Sequence, residues 1–169
     1  MAQYLIANGA SPTTAAQVAV TTGTSLKTLL QVEPSATAIA RIVEWGISFD
    51  GSAAATPIKV ELLEQDVAAT VTAHVAAGIV KFDAAAQLGG DPTTNLFQVG
   101  TANTGYTSTA ENSPTVSRMF DVQFIAPTNQ YIKQFPLGSQ PALQNSKFTK
   151  IRVTAGAAVN AYCYMIIEI

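Results

Sequence analysis

The sequence predicts an all-β protein, an antiparallel β-sandwich or jelly roll of about eight strands with long polar loops. Apolar and polar residues alternate in stretches of roughly five to nine residues, and clusters of turn-forming residues separate these stretches. No segment shows a sustained helical period with proper caps. The 169 residues fit one domain, and we expect an N-terminal arm or edge strand at 1–24 and a single β-sandwich domain at 25–169.

The clearest strand is RIVEWGISFDG, residues 41–51, which ends in the turn-forming pair Asp50-Gly51. One of its faces is apolar and carries Val43, Trp45, Ile47 and Phe49. Another alternating stretch, IKVELLEQD, follows after the short segment DGSAAATP. Two alternating strands around a short turn predict a β-hairpin.

Other predicted strands are SLKTLLQVEP, before these two, and QYIKQFPLG and KFTKIRVTAG, late in the chain. VAATVTAHVAAGIVKF suits either a helix or a strand, and its alternation favours a strand. QLGGDPTTNLF and VGTANTGYTSTAENSP are predicted to be long loops. SRMFDVQFIAP is expected to bury Phe120, Val122 and Phe124.

The C-terminal strand AYCYMIIEI is apolar on both faces. One face carries Tyr162, Tyr164 and Ile166, and the other carries Cys163, Met165, Ile167 and Ile169. We expect both faces to be covered, either by the centre of the sandwich or by a subunit interface.

Composition and charge exclude several classes of function. Hydrophobic residues make up 48% of the chain and charged residues only 12%, about half the usual share, which favours a protein that packs beside copies or a partner. The net charge is −2, and the nine Lys and Arg residues are scattered, so no basic stripe for nucleic acid is present.

Membrane insertion and secretion are not expected either. No uninterrupted apolar run has the length that spans a bilayer, and the first segment lacks a positive region typical of signal peptides. The single cysteine, Cys163, cannot form an internal disulfide, which indicates synthesis in a reducing cytosol.

Candidate catalytic groups are few. His74 is the only histidine, lacks the partners that a general base or a metal site needs, and is expected on a polar face among alanines and threonines. Cys163 lies in an apolar strand, which is typical of an inert thiol. Glu44 and Glu61 would share the polar face of the predicted hairpin, either as solvated surface acids or as a glycosidase pair. No known catalytic or phosphate-binding motif is present, so we expect no enzyme, no cofactor and no metal site.

One loop has a composition suited to recognition. Tyr106 is framed by Gly, Thr and Asn in GTANTGYTSTAENSP. An adaptable polar surface with one aromatic anchor is typical of protein or glycan recognition, and the same composition also suits an ordinary long loop.

Residues 25–66 carry a resemblance to a known family. Leu-Leu-Gln-Val, then Val-Glu-Trp-Gly-Ile-Ser-Phe-Asp-Gly, then Thr-Pro-Ile-Lys-Val-Glu-Leu is similar to the front half of small β-sandwich proteins from structural gene clusters of tailed bacteriophages, the head decoration or cement proteins. The resemblance implies a jelly-roll subunit, commonly a homotrimer, on the capsid surface of the virion. It would bind there between major capsid proteins and stabilise the head.

The expected partners and contact residues follow from this resemblance and from the sequence. The partners are the major capsid protein and further copies of the chain, with no nucleic acid and no membrane. The candidate contact residues are Tyr4, Leu5, Ile6, Tyr106, Tyr162 and Tyr164. A tail-fibre or other virion module that binds carbohydrate or a receptor is the alternative, and a glycoside hydrolase is the less favoured one.

Overall fold

Two antiparallel β-sheets form a sandwich in the computed structural model, which describes residues 2–36, 38–51, 56–82 and 96–169. The all-β prediction is confirmed, and the jelly-roll order stays a prediction. The strands are β1 (Gln3–Ala7), β2 (Val20–Thr21), β3 (Lys27–Val32), β4 (Arg41–Phe49), β5 (Ile58–Gln65), β6 (Thr70–Ala73), β7 (Ile79–Lys81), β8 (Gly105–Ala110), β9 (Ser117–Ile125), β10 (Gln130–Gln134), β11 (Phe148–Thr154) and β12 (Asn160–Glu168).

Each sheet has six strands. Sheet A has the order β10-β4-β12-β1-β7, and the short β2 pairs with the beginning of β12 beside β1. Sheet B has the order β6-β8-β3-β11-β5-β9. The strands number twelve in the described residues rather than about eight because several of them are very short.

The core lies between the sheets and is built on the predicted alternation. Trp45, Ile47 and Phe49 of β4 are buried, as the apolar face of RIVEWGISFDG predicts. The Trp45 ring packs against Tyr131 of β10, with 5.3 Å between ring centroids. Val43 is only half-buried, because a shift in the β4–β12 register between Ile166 and Ile167 interrupts the alternation.

The predicted hairpin of β4 and β5 does not form. β4 pairs with β10 and β12 in sheet A, whereas β5 pairs with β9 and β11 in sheet B. The chain therefore crosses from one sheet to the other between them. The hairpin prediction is wrong because alternation defines a strand but does not choose its partner.

Two parts of the N-terminal segment, β1 and the short β2, belong to sheet A. β1 lies between β12 and β7, so residues 3–7 form neither an arm nor an edge strand. Directly after β1, the buried side chain of Asn8 continues the hydrogen bonding to β12. Its Nδ2 donates to the Ala161 carbonyl at 3.0 Å, and its Oδ1 accepts from the Cys163 amide at 3.0 Å. Its own amide also donates to the Cys163 carbonyl at 3.0 Å.

Two further predictions need correction. The segment at 67–82 is not one strand but β6, a single 3-10 turn at Ala76–Gly78, and β7, which belong to different sheets. The predicted loop VGTANTGYTSTAENSP contains β8, an inner strand of sheet B. The other predicted loop, QLGGDPTTNLF, lies largely outside the described residues.

Of the three β9 residues that the pattern predicts to be buried, only Phe120 packs against the core, and it is half-buried. Val122 is exposed and Phe124 is 72% exposed, whereas Asp121 and Ile125 are buried. The pairing with β5 shifts between Leu62 and Leu63, so one extra β9 residue, Phe120, forms a bulge. Residues before and after a bulge exchange faces, which is why simple alternation assigns the wrong side.

The C-terminal strand β12 is the central strand of sheet A. Cys163, Met165 and Ile167 are fully buried against the core. Tyr162, Tyr164 and Ile166 are half-buried on the outer face of the sheet. The core therefore covers one apolar face, and the other one remains partly exposed.

A buried polar layer lies on the outer side of sheet B. Lys150 of β11 is fully buried, and its Nζ donates to Gln65 Oε1 at 3.0 Å and to the Val67 carbonyl at 2.9 Å. The Gln31 amide donates to the carbonyls of Ala102 and Asn103. The segments that follow β5 and precede β8 thus cover this face by hydrogen bonds to buried polar side chains.

Candidate partner-binding surface

The outer face of sheet A presents half-buried apolar side chains in ordered rows. The strand register places outward-facing residues side by side across β10, β4, β12, β1 and β7. The rows are Gln130, Ser48 and Tyr162; Ile132, Gly46, Tyr164 and Ala7; and Gln134, Glu44, Ile166, Leu5 and Val80. We call these residues the sheet A face.

Two tyrosines dominate the centre of the sheet A face. The rings of Tyr162 and Tyr164 lie 6.4 Å apart between centroids. Gly46 makes room for the Tyr164 ring, because a Cβ at Gly46 would lie 2.7 Å from its Cε1 atom. Burial raises the pKa of the Tyr162 phenol, and a tyrosine that is half-buried and uncharged offers both apolar area and a polar tip to a partner.

The hydroxyl of Tyr164 engages the acid of the sheet A face. It donates to Glu44 Oε1 at 2.6 Å. Burial, followed by this hydrogen bond and the Glu44 charge, raises the pKa of the Tyr164 phenol. The bond fixes the ring against the sheet, so the centre of the face is both ordered and poor in free charge.

Apart from Glu44, which accepts from the Tyr164 hydroxyl, the charged groups of this surface lie at the border of the sheet A face. Arg41, Glu168 and Gln3 form the next row, where the Gln3 amide donates to a Glu168 oxygen at 3.3 Å. An apolar centre with a polar border is the arrangement found in protein–protein interfaces. The face therefore suits contact with another protein.

The structure separates the predicted contact residues. Leu5, Tyr162 and Tyr164 share the sheet A face. Tyr4 and Ile6 point into the core instead, where they are almost completely buried, and Tyr4 packs edge-on against Phe97. This burial corrects the expectation that Tyr4 and Ile6 bind a partner, and it follows from the inner position of β1.

Tyr106 lies elsewhere, on β8 of sheet B. Its ring is 4.8 Å from the ring of His74, between centroids, and a cleft of about 310 Å³ opens beside both. His74 is buried rather than on a polar face, and its Nε2 lies 2.8 Å from the Ala7 carbonyl oxygen. Burial lowers the pKa of His74, with the Ala7 hydrogen bond opposing the change.

The two candidate acids do not form a pair. Glu44 lies on sheet A, whereas Glu61 lies on sheet B and contacts Lys59 at 2.7 Å and Arg152 at 2.5 Å. Burial opposes ionisation of Glu61, but these two cations outweigh it and lower its pKa. The glycosidase alternative required both acids on one face of a hairpin, and this hairpin does not form.

Cys163 lies in the core, where burial raises the pKa of its thiol. In the described ranges, no three His, Cys, Asp or Glu side chains come together as metal ligands. No helix in the described part of the chain is long and apolar enough to cross a membrane.

Comparison with known proteins finds no matching family model, no matching curated protein and no matching solved structure.

Most members of the sheet A face were not predicted from the sequence to lie at a contact. Ile132, Gly46 and Val80 join it only through pairings of β10, β4 and β7 with strands distant in the chain. The available signal was the outward side of β12, because a strand that is apolar on both faces indicates a covered or contacting surface.

Proposed function

We propose that this chain is a structural subunit of a phage virion, a decoration or cement protein that binds the outside of the head through its sheet A face. The partner is the major capsid protein, and the chain contributes binding rather than chemistry. The resemblance at residues 25–66 supplies the class of assembly, and the sheet A face supplies the contact.

The observation that carries this proposal is the ordered, charge-poor centre of the sheet A face. Tyr162, Tyr164 and Ile166 stay half-exposed on the central strand of the sheet, and the nearest carboxylate is already bonded to a phenol. Covering such a surface removes apolar area from water, and the carboxylate of Glu44 keeps its hydrogen bond to the Tyr164 hydroxyl. Tyrosines in such positions commonly contribute most of the binding free energy of an interface.

The test is binding of the purified chain to phage heads that lack it. We expect electron microscopy to show added density on the outer capsid surface between capsid subunits. Tyr162→Glu should lower the occupancy about tenfold or more, because it places a charge at the centre of the contact. Tyr162 is half-exposed, so this variant should keep the fold.

Val75→Glu is the matched control. Val75 is exposed and follows β6 in sheet B, so the same change of charge should leave occupancy unchanged. Heads that carry none of the added chain would contradict the proposed function. Equal occupancy by wild type and Tyr162→Glu would show that the sheet A face is not the contact.

A further inference from the structure

One side of the sandwich leaves a strand edge free in both sheets. β9 ends sheet B and β10 ends sheet A, and no described strand pairs with their outer edges. Asp121 of β9 connects the two edges, because it accepts from the Tyr131 hydroxyl at 3.1 Å and pairs with Lys133 at 3.3 Å. We call this side, formed by β9 and β10, the β9/β10 side.

The β9/β10 side also exposes large apolar residues. Met119, Val122 and Phe124 are exposed on β9, and Ile132 is exposed on β10. Free strand edges are normally protected by outward charges, short length or a bulge. Here the bulge at Phe120 interrupts only the first part of β9, so residues 121–125 remain a regular free edge.

The charges on the β9/β10 side are already neutralised within the chain. Lys133 pairs with Asp121, and Arg118 pairs with Glu64 at 2.8 Å. A partner with a strongly charged surface would gain nothing here, whereas a neutral and equally apolar partner would fit. The same side of a second copy meets this requirement by symmetry.

We propose that two copies of this chain pair through residues 121–125 of β9 about a two-fold axis perpendicular to the sheets. The paired edges are antiparallel with the axis at residue 123, so Val122 of each copy packs beside Phe124 of the other. Because the axis is perpendicular to the sheets, the β10 edges face each other as well. This inference does not depend on the proposed function, because residues 121–125 of β9 belong to sheet B and lie outside the sheet A face.

Pairing of the β9 edges would cover exposed apolar side chains of β9. At roughly 200 Å² for a large side chain, the exposed parts of Met119, Val122 and Phe124 leave about 300 Å² of apolar surface on each copy. A stable interface buries about 800 Å² per partner. These side chains supply less than half of that area, and backbone hydrogen bonds between the paired edges add to the contact.

Analytical ultracentrifugation of the whole chain tests the pairing. We expect a species of about 35 kDa, twice the monomer mass of 17.6 kDa. Phe124→Glu should raise the dissociation constant about 100-fold or more, because each copy would bring a charge into the shared strip. Val75 is exposed in the connection between β6 and β7, away from β9, so Val75→Glu should leave the dissociation constant unchanged.

Crosslinking tests the symmetry. Cys163 is buried, so Val122→Cys and Phe124→Cys each add the one accessible thiol in the described residues. Mild oxidation of a mixture of the two variants should join residue 122 of one copy to residue 124 of the other, because antiparallel pairing centred on residue 123 places these two positions side by side. A monomer at high concentration, a trimer, or a dimer that Phe124→Glu does not weaken would each overturn the inference.

Discussion

Lys150 should make the stability of this protein rise with pH. Its ammonium group is fully buried and donates only to the neutral oxygens of Gln65 and Val67. Burial lowers the pKa of Lys150 from 10.5 to about 8; Arg152 also lowers it, whereas the charges of Glu111 and Asp66 oppose the change.

The sign follows from the order of the two pKa values. Below pH 8 both the folded and the unfolded chain hold the proton, so the full cost of burying the charge is present. Between about pH 8 and 10.5 the folded chain has lost the proton and the unfolded chain keeps it, so the free energy of unfolding rises with pH. With these pKa values the gain from about pH 7 to about pH 9.5 is up to about 2 kcal/mol.

Urea unfolding of wild type and Lys150→Met at several pH values measures this gain. The methionine removes the titrating group. The free energy of unfolding of wild type minus that of Lys150→Met should therefore increase by up to about 2 kcal/mol as the pH rises. The comparison cancels changes from other groups, such as Lys27, whose pKa burial also lowers. Lys147→Met, at a partly exposed position, should follow wild type. A difference that stays constant with pH would refute the reasoning.

Three other substitutions have expected outcomes. Gly46→Ala should displace the Tyr164 ring and break its bond to Glu44, so that absorbance titration shows the phenol ionising at lower pH; an unchanged titration would contradict the contact. Asn8→Ala should lower the free energy of unfolding by about 2 kcal/mol, measured in urea, because buried backbone groups lose their partners. Trp45→Ala should lower it by about 3–5 kcal/mol, and a loss below 1 kcal/mol would show that the site is loosely packed.

The sequence predicted the elements of this fold better than their partners. The alternation around Trp45 identified β4 and its buried face. The apolar pattern on both faces of β12 predicted that this strand lies at the centre of the sandwich or at a contact, and β12 is an inner strand of sheet A. Alternation depends on neighbouring residues, so it can be read locally. Which strand lies beside β4 depends on contacts between distant segments, and the predicted hairpin with β5 failed for that reason.

The surface was predicted in part. Tyr162 and Tyr164 were expected at a contact, and they do lie together on the sheet A face. Phe124 was expected in the core, yet it is exposed, because no local pattern reveals the bulge at Phe120. The buried Lys150 was also missed, since a lysine within an alternating strand normally indicates a solvent-facing position.

The central position of β12 determines when this protein can fold. β12 pairs on one side with β4 and on the other with β1, which is separated from it by more than 150 residues. Sheet A therefore cannot close on the ribosome until residues 160–168 have emerged. Such distant pairings slow folding, so during synthesis the inner faces of β1 and β4 stay exposed until the last strand of the sheet is made.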